Sequence, residues 1–68
     1  MFNRNKFRAK MLEAGVTVES LATTLGVNEA TIYRKMSGNS DFLRNEIQLI
    51  KHKLSLTDDD VVSIFFAE

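Results

Sequence analysis

Apolar residues recur along the chain at helical spacing, and no stretch shows the strict alternation expected of a half-buried strand. The first such segment predicts a helix over about 3–14. In it Phe7, Met11 and Ala14 follow one another at i, i+4 and i+7, and Leu12 widens the apolar stripe. The basic residues of this segment take the opposite face.

Three later helix starts share one local pattern: an apolar residue, a side chain that can cap the helix, and a second apolar residue five positions after the first. These sets are Val16, Thr17 and Leu21; Val27, Asn28 and Ile32; and Leu56, Thr57 and Val61. They predict helices over about 18–25 and 29–37, joined by the turn 26–28, and a last helix from Asp58 to the end.

A further helix is predicted over about 43–54, where Leu43, Ile47, Ile50 and Leu54 line one face. The three glycines, Gly15, Gly26 and Gly38, each follow a helical segment, where a residue that tolerates positive φ closes a helix. The predicted fold is all-α, a five-helix orthogonal bundle in which residues 1–68 form a single domain with a helix-turn-helix.

The composition is that of an ordinary globular domain, with 44% hydrophobic and 26% charged residues and no Cys. The lack of Cys excludes disulfides and thiolate chemistry. The lone His52 has no evident catalytic partner, and Asp58, Asp59 and Asp60 suit the first turn of a helix better than a cation site. We therefore expect no enzyme, cofactor or metal. With no apolar run of membrane-spanning length, we expect a cytoplasmic protein.

Charge is unevenly distributed although the formal net charge is zero. Residues 1–44 carry a balance of +3 and residues 45–68 a balance of −3. The basic residues of the first helix, Arg4, Lys6, Arg8 and Lys10, either contact phosphates or form a solvated face; the sequence leaves both readings open.

The second and third predicted helices are separated by a three-residue turn, a length that favours a steep crossing. Ala22 is small enough for a close crossing, Gly26 suits the bend, and Ile32 and Met36 anchor the third helix. The outer face of that helix is polar but mostly uncharged, which suits the reading of base edges.

The segment VESLATTLGVNEATIYRKMSG, residues 18–38, resembles the Cro/repressor (XRE-like) family of helix-turn-helix regulators. The tail EIQLIKHKLSLTDDDVVSIFFAE is similar to that of small regulators encoded by temperate phages of Gram-positive bacteria. The resemblance implies a sequence-specific transcriptional regulator that binds double-stranded operator DNA, with the helix 29–37 in the major groove.

The resemblance also implies which residues contact DNA. The implied base-reading residues are Glu29, Ala30, Tyr33 and Arg34. Arginine can bind guanine through two hydrogen bonds, glutamate can accept from cytosine, and an alanine methyl can meet that of thymine. The implied DNA-backbone contacts are Asn28, Lys35, Ser37, Asn39, Ser40 and Arg44.

A second interpretation is that the chain is a modulator or antirepressor that acts by binding a partner repressor protein. It is favoured by the zero net charge, by Asp41, and by Val18 where relatives often have Gln. The last helix is apolar over more than half its circumference, so Val62, Phe65 and Phe66 are predicted to contact a partner or a second copy in a homodimer. The alternative is that Phe65 and Phe66 cap the core of a monomer.

Overall fold

The computed structural model describes all 68 residues and contains five helices and no strand, which confirms the all-α prediction. The helices are α1 (Arg4–Ala14), α2 (Val18–Leu25), α3 (Glu29–Met36), α4 (Arg44–Lys53) and α5 (Asp58–Phe65). Each boundary lies within a few residues of its predicted place. The largest difference is at α5, which ends at Phe65 and leaves the last three residues outside the helix.

The helix starts follow the predicted capping pattern. The side chains of Thr17, Asn28 and Thr57 accept hydrogen bonds from the backbone N–H groups three residues later, at 3.1, 2.9 and 3.0 Å respectively. Asn3 caps α1 in the same way. Each bond satisfies an N–H that has no partner within the helix, so these short helices begin at defined residues.

The turn between α2 and α3 depends on Gly26. This residue has φ of 71°, a left-handed conformation that side chains with a Cβ rarely adopt. The N–H of Val27 then donates to the carbonyl of Ala22 at 3.0 Å, which closes the end of α2 and directs the chain towards α3.

The core lies where all five helices meet. Every helix contributes one fully buried side chain, and these are Phe7, Leu21, Ile32, Ile50 and Ile64. Six more buried apolar residues surround them, among them Met11, Met36 and Leu54. None of the helices is long and apolar enough to cross a membrane.

Three apolar residues predicted to face the core, Leu12, Ala14 and Leu43, lie at the surface instead. Leu12 is 84% exposed, because Phe7 and Met11 define the covered face of α1 and no other helix packs over the side on which Leu12 lies. Leu43 is 58% exposed because it precedes α4 as its N-cap. The adjacent Phe42 is buried in its place.

Four phenylalanines form a cluster at one end of the core. The rings of Phe2, Phe7, Phe42 and Phe65 pack with centroids between 5.2 and 6.0 Å apart, a separation typical of favourable aromatic pairs. Phe65 therefore packs partly within its own chain, and its role as a partner contact stays a prediction. Val62 and Phe66, in contrast, are exposed.

Candidate nucleic-acid interface

Helix α3 is held against α2 by its buried face. Ile32 is fully buried and Met36 is 5% exposed, while Ala22 of α2 is 4% exposed. All three residues are thus buried, as expected for residues that pack α3 into the core. Because the inner face of α3 is fixed by these apolar side chains, its opposite face is presented to solvent as a rigid surface.

The four predicted base-reading residues, Glu29, Ala30, Tyr33 and Arg34, all lie on the exposed side of α3. Tyr33 is 52% exposed, and its ring borders a groove between α3 and α1. Glu29 and Ala30 occupy the first turn, at the end of α3 that the sequence predicts to enter the major groove. The structure thus brings these residues together on one face.

A chain of hydrogen bonds runs along the exposed side of α3. The Arg34 guanidinium donates to the Thr31 hydroxyl at 3.2 Å, and that hydroxyl donates to the Asn28 side-chain oxygen at 3.0 Å. The three residues are spaced at i, i+3 and i+6, so they lie on one helix face. Sequence analysis missed Thr31, although this spacing of polar side chains could have indicated it.

The predicted backbone-contacting residues, apart from Lys35, lie at the two ends of α3 and beyond. Asn28 caps the N-terminal end, and its side-chain oxygen accepts from Thr31. The remaining four, Ser37, Asn39, Ser40 and Arg44, are exposed in the segment from the end of α3 to the start of α4. Polar groups thus flank the exposed face of α3 at both ends.

The prediction that Lys35 contacts the DNA backbone is wrong. Lys35 is only 9% exposed, and its ammonium lies 2.5 Å from a carboxylate oxygen of Glu46. It also lies over the ring of Phe42, with 5.9 Å between the nitrogen and the ring centroid. A buried and paired ammonium is not available to a phosphate.

Glu46 is the second residue that sequence analysis missed. It is 5% exposed, and the oxygen that binds Lys35 also accepts the N–H of Leu43 at 2.7 Å. It therefore joins the last turn of α3 to the first turn of α4. Since its partner is eleven residues away in the chain, no local helical spacing indicates the pair.

Four of the five lysines form ion pairs, and Lys53 does not. All five ion pairs are made by lysines, namely Lys6, Lys10, Lys35 and Lys51. None of the four arginines forms an ion pair, and all of them are exposed. The residues that best bind phosphate or guanine through paired hydrogen bonds are therefore all left free.

The acidic first turn of α5 is occupied by intramolecular contacts. The Thr57 N–H donates to Asp60, which lowers the pKa of this carboxyl, and nearby Lys10 and Lys6 lower it further. The hydrogen bond from Lys51 lowers the pKa of Asp58. His52 is exposed, and no group of three His, Asp or Glu side chains lies close enough to hold a metal ion.

Comparison of the chain with family models, curated proteins and solved structures finds no match. Three features of the chain bear on its function: the exposed face of α3, the hydrogen bonds that hold Arg34, and the unpaired arginines.

Proposed function

We propose that the chain is a sequence-specific DNA-binding transcriptional regulator of the phage Cro/repressor type, with α3 in the major groove of its operator. The observation that carries the proposal is the exposed face of α3, where Glu29, Ala30, Tyr33 and Arg34 lie together on a helix whose other face is buried. A major groove about 12 Å wide accepts one helix. Such a regulator acts by occupying a promoter, in the cytoplasm of a bacterial host, without catalysing a reaction.

Arg34 is the residue that best fits direct reading of a base. Its guanidinium is positioned by Thr31 but forms no ion pair, so the charge remains available for guanine. A bidentate contact of this kind contributes about 1–3 kcal/mol of discrimination against the wrong base. Exposed polar residues at the ends of α3 supply the backbone contacts that fix the position of the helix on the duplex.

The test is selection of binding sites from a random-sequence DNA pool, with the Arg34→Ala variant in parallel. We expect an enriched inverted repeat with half-sites about 34 Å apart, and loss of preference at one guanine per half-site in the variant. Lys53→Ala is the matched control, because Lys53 is an exposed cation without an ion pair at the end of α4. It should enrich the same sequence as the wild type.

The second candidate function is that of a modulator or antirepressor that binds a partner repressor protein. The observation in its favour is the exposed apolar surface of the C-terminal segment, where Val62 is 58% and Phe66 is 60% exposed. Absence of any enriched sequence in the selection by the intact chain would contradict the DNA-binding proposal and favour this second function.

A further inference from the structure

A groove on one side of α1 opens next to the exposed face of α3. It has a volume of about 480 Å³, and the N-terminal end of α2 forms part of its wall. Arg4 and Arg8 line it from α1, and Tyr33 lines it from α3. No carboxylate lines the groove. The rest of the lining is mainly apolar, so Arg4 and Arg8 are the only charged side chains of a groove that also borders the candidate base-reading helix.

The basic residues of α1 fall into two pairs with different surroundings. Lys6 and Lys10 are one turn apart, and the ammonium of each lies 3.6 Å from Asp60 of α5. Arg4 and Arg8 are also one turn apart, but they are exposed and form no ion pair. Residues two positions apart on a helix point in nearly opposite directions, about 200° apart. The lysines thus join α1 to α5, while the arginines lie on another side.

We infer that Arg4 and Arg8 form a phosphate-binding strip that contacts the backbone of the same DNA whose bases α3 reads. This inference rests on the proposed function. The sequence left open whether the basic residues of α1 contact phosphates or form a solvated face. On this inference the arginines contact phosphates, and the lysines do not. Arginine suits this role because its planar guanidinium is always charged and offers two parallel hydrogen bonds to a phosphate.

The spacing of the two arginines agrees with this role. Four residues of helix place them about 6 Å apart along the axis. Phosphates of one DNA strand follow every 3.4 Å or so along the duplex axis, so long, flexible side chains at this separation can reach neighbouring phosphates. The groove extends from Tyr33 to Arg4. A DNA strand that lies beside α3 can therefore contact residues on both sides of the groove.

The test compares two double variants by the salt dependence of their binding to a random-sequence duplex of about 20 base pairs, two helical turns. Arg4→Gln with Arg8→Gln removes the proposed strip. Lys6→Gln with Lys10→Gln removes the same charge from the same helix but from the side that faces Asp60. Circular dichroism checks that both variants keep their helices.

We expect the arginine double variant to reduce the magnitude of the slope of log K against log salt by about 1.8, or 0.9 for each phosphate that the variant no longer neutralises. The lysine double variant should keep the wild-type slope. An unchanged slope in the arginine variant, or equal reductions in both variants, would overturn the inference while the DNA-binding proposal stands. Failure of the wild type to bind any DNA would overturn both.

Discussion

The burial of Lys35 removes its ammonium group from the solvent-exposed surface of α3. Taking an ammonium out of water costs several kcal/mol unless a counter-charge and hydrogen bonds compensate it. Glu46 supplies both, and it also caps α4 through the N–H of Leu43. Lys35 therefore links α3 to α4, and the solvent-exposed face of α3 is formed without it.

Lys35 and Glu46 should contribute to the free energy of unfolding as one unit. Glu46→Gln keeps an oxygen for the Leu43 N–H but leaves the Lys35 charge without a counter-charge, so we expect the free energy of unfolding to fall by about 3 kcal/mol. Adding Lys35→Met removes the buried charge, and the double variant should recover most of that loss. Urea denaturation of both variants measures the difference.

The solvent-exposed pair of Lys51 and Asp58 provides the control. Its atoms are also 2.5 Å apart, but the Asp58 side chain is 92% exposed. Asp58→Asn should leave the free energy of unfolding nearly unchanged, because solvent screens exposed charges. If Glu46→Gln were equally harmless, the buried pair would not stabilise the fold as argued.

At the scale of whole helices, the sequence predicted the starts of the helices well because those signals are local. Thr17, Asn28 and Thr57 cap N–H groups only three residues away, and the structure shows each of these bonds. The turn after α2 could also be predicted from the sequence, since the positive φ of Gly26 depends only on that residue and its neighbours.

Features that depend on contacts between helices could not be predicted in the same way. Leu12 matches the apolar spacing of α1, yet no neighbouring helix covers it. Phe2 and Phe42 join the aromatic cluster although they lie outside the helices. The resemblance placed Lys35 at the DNA, whereas its burial follows from the position of Glu46 on another helix.

The packing of α1 against α5 should give the protein an acid-sensitive stability. The Thr57 N–H, with Lys10 and Lys6, lowers the pKa of Asp60 in the folded chain. A lowered folded pKa stabilises the fold above the unfolded value of about 3.9, and that contribution is lost as the pH falls through the folded value. We expect the free energy of unfolding to decrease below about pH 4, and Asp60→Asn to weaken this dependence.

Asp59 is the matched control for that measurement. It lies in the same first turn of α5, so its carboxylate interacts with the same helix dipole, but it forms no ion pair. Asp59→Asn should keep the wild-type pH dependence in urea denaturation at pH 6 and pH 3. Superimposable curves for the two variants would show that the contacts of Asp60 are not the cause.

For the molecule as a whole, the exposed apolar residues of the C-terminal segment form a surface that suits a contact between two copies. Regulators that bind inverted repeats do so as two-fold dimers, whose contact surface is the same on each copy. Val62 and Phe66 are both more than half exposed, while Ile64 and Phe65 pack inward. The chain thus has an apolar surface here that its own fold does not cover.

We therefore expect the protein to dimerise through Val62 and Phe66, and the variant Val62→Gln with Phe66→Gln to be monomeric. At about 1 kcal/mol for each partly exposed side chain, four such side chains across a two-fold contact correspond to about a thousandfold change in the dimer Kd. Sedimentation equilibrium measures that Kd. The variant should still bind a single half-site through α3 but lose its preference for the inverted repeat. A wild-type chain that stays monomeric even at high concentration would contradict the dimer and leave this surface to a partner repressor.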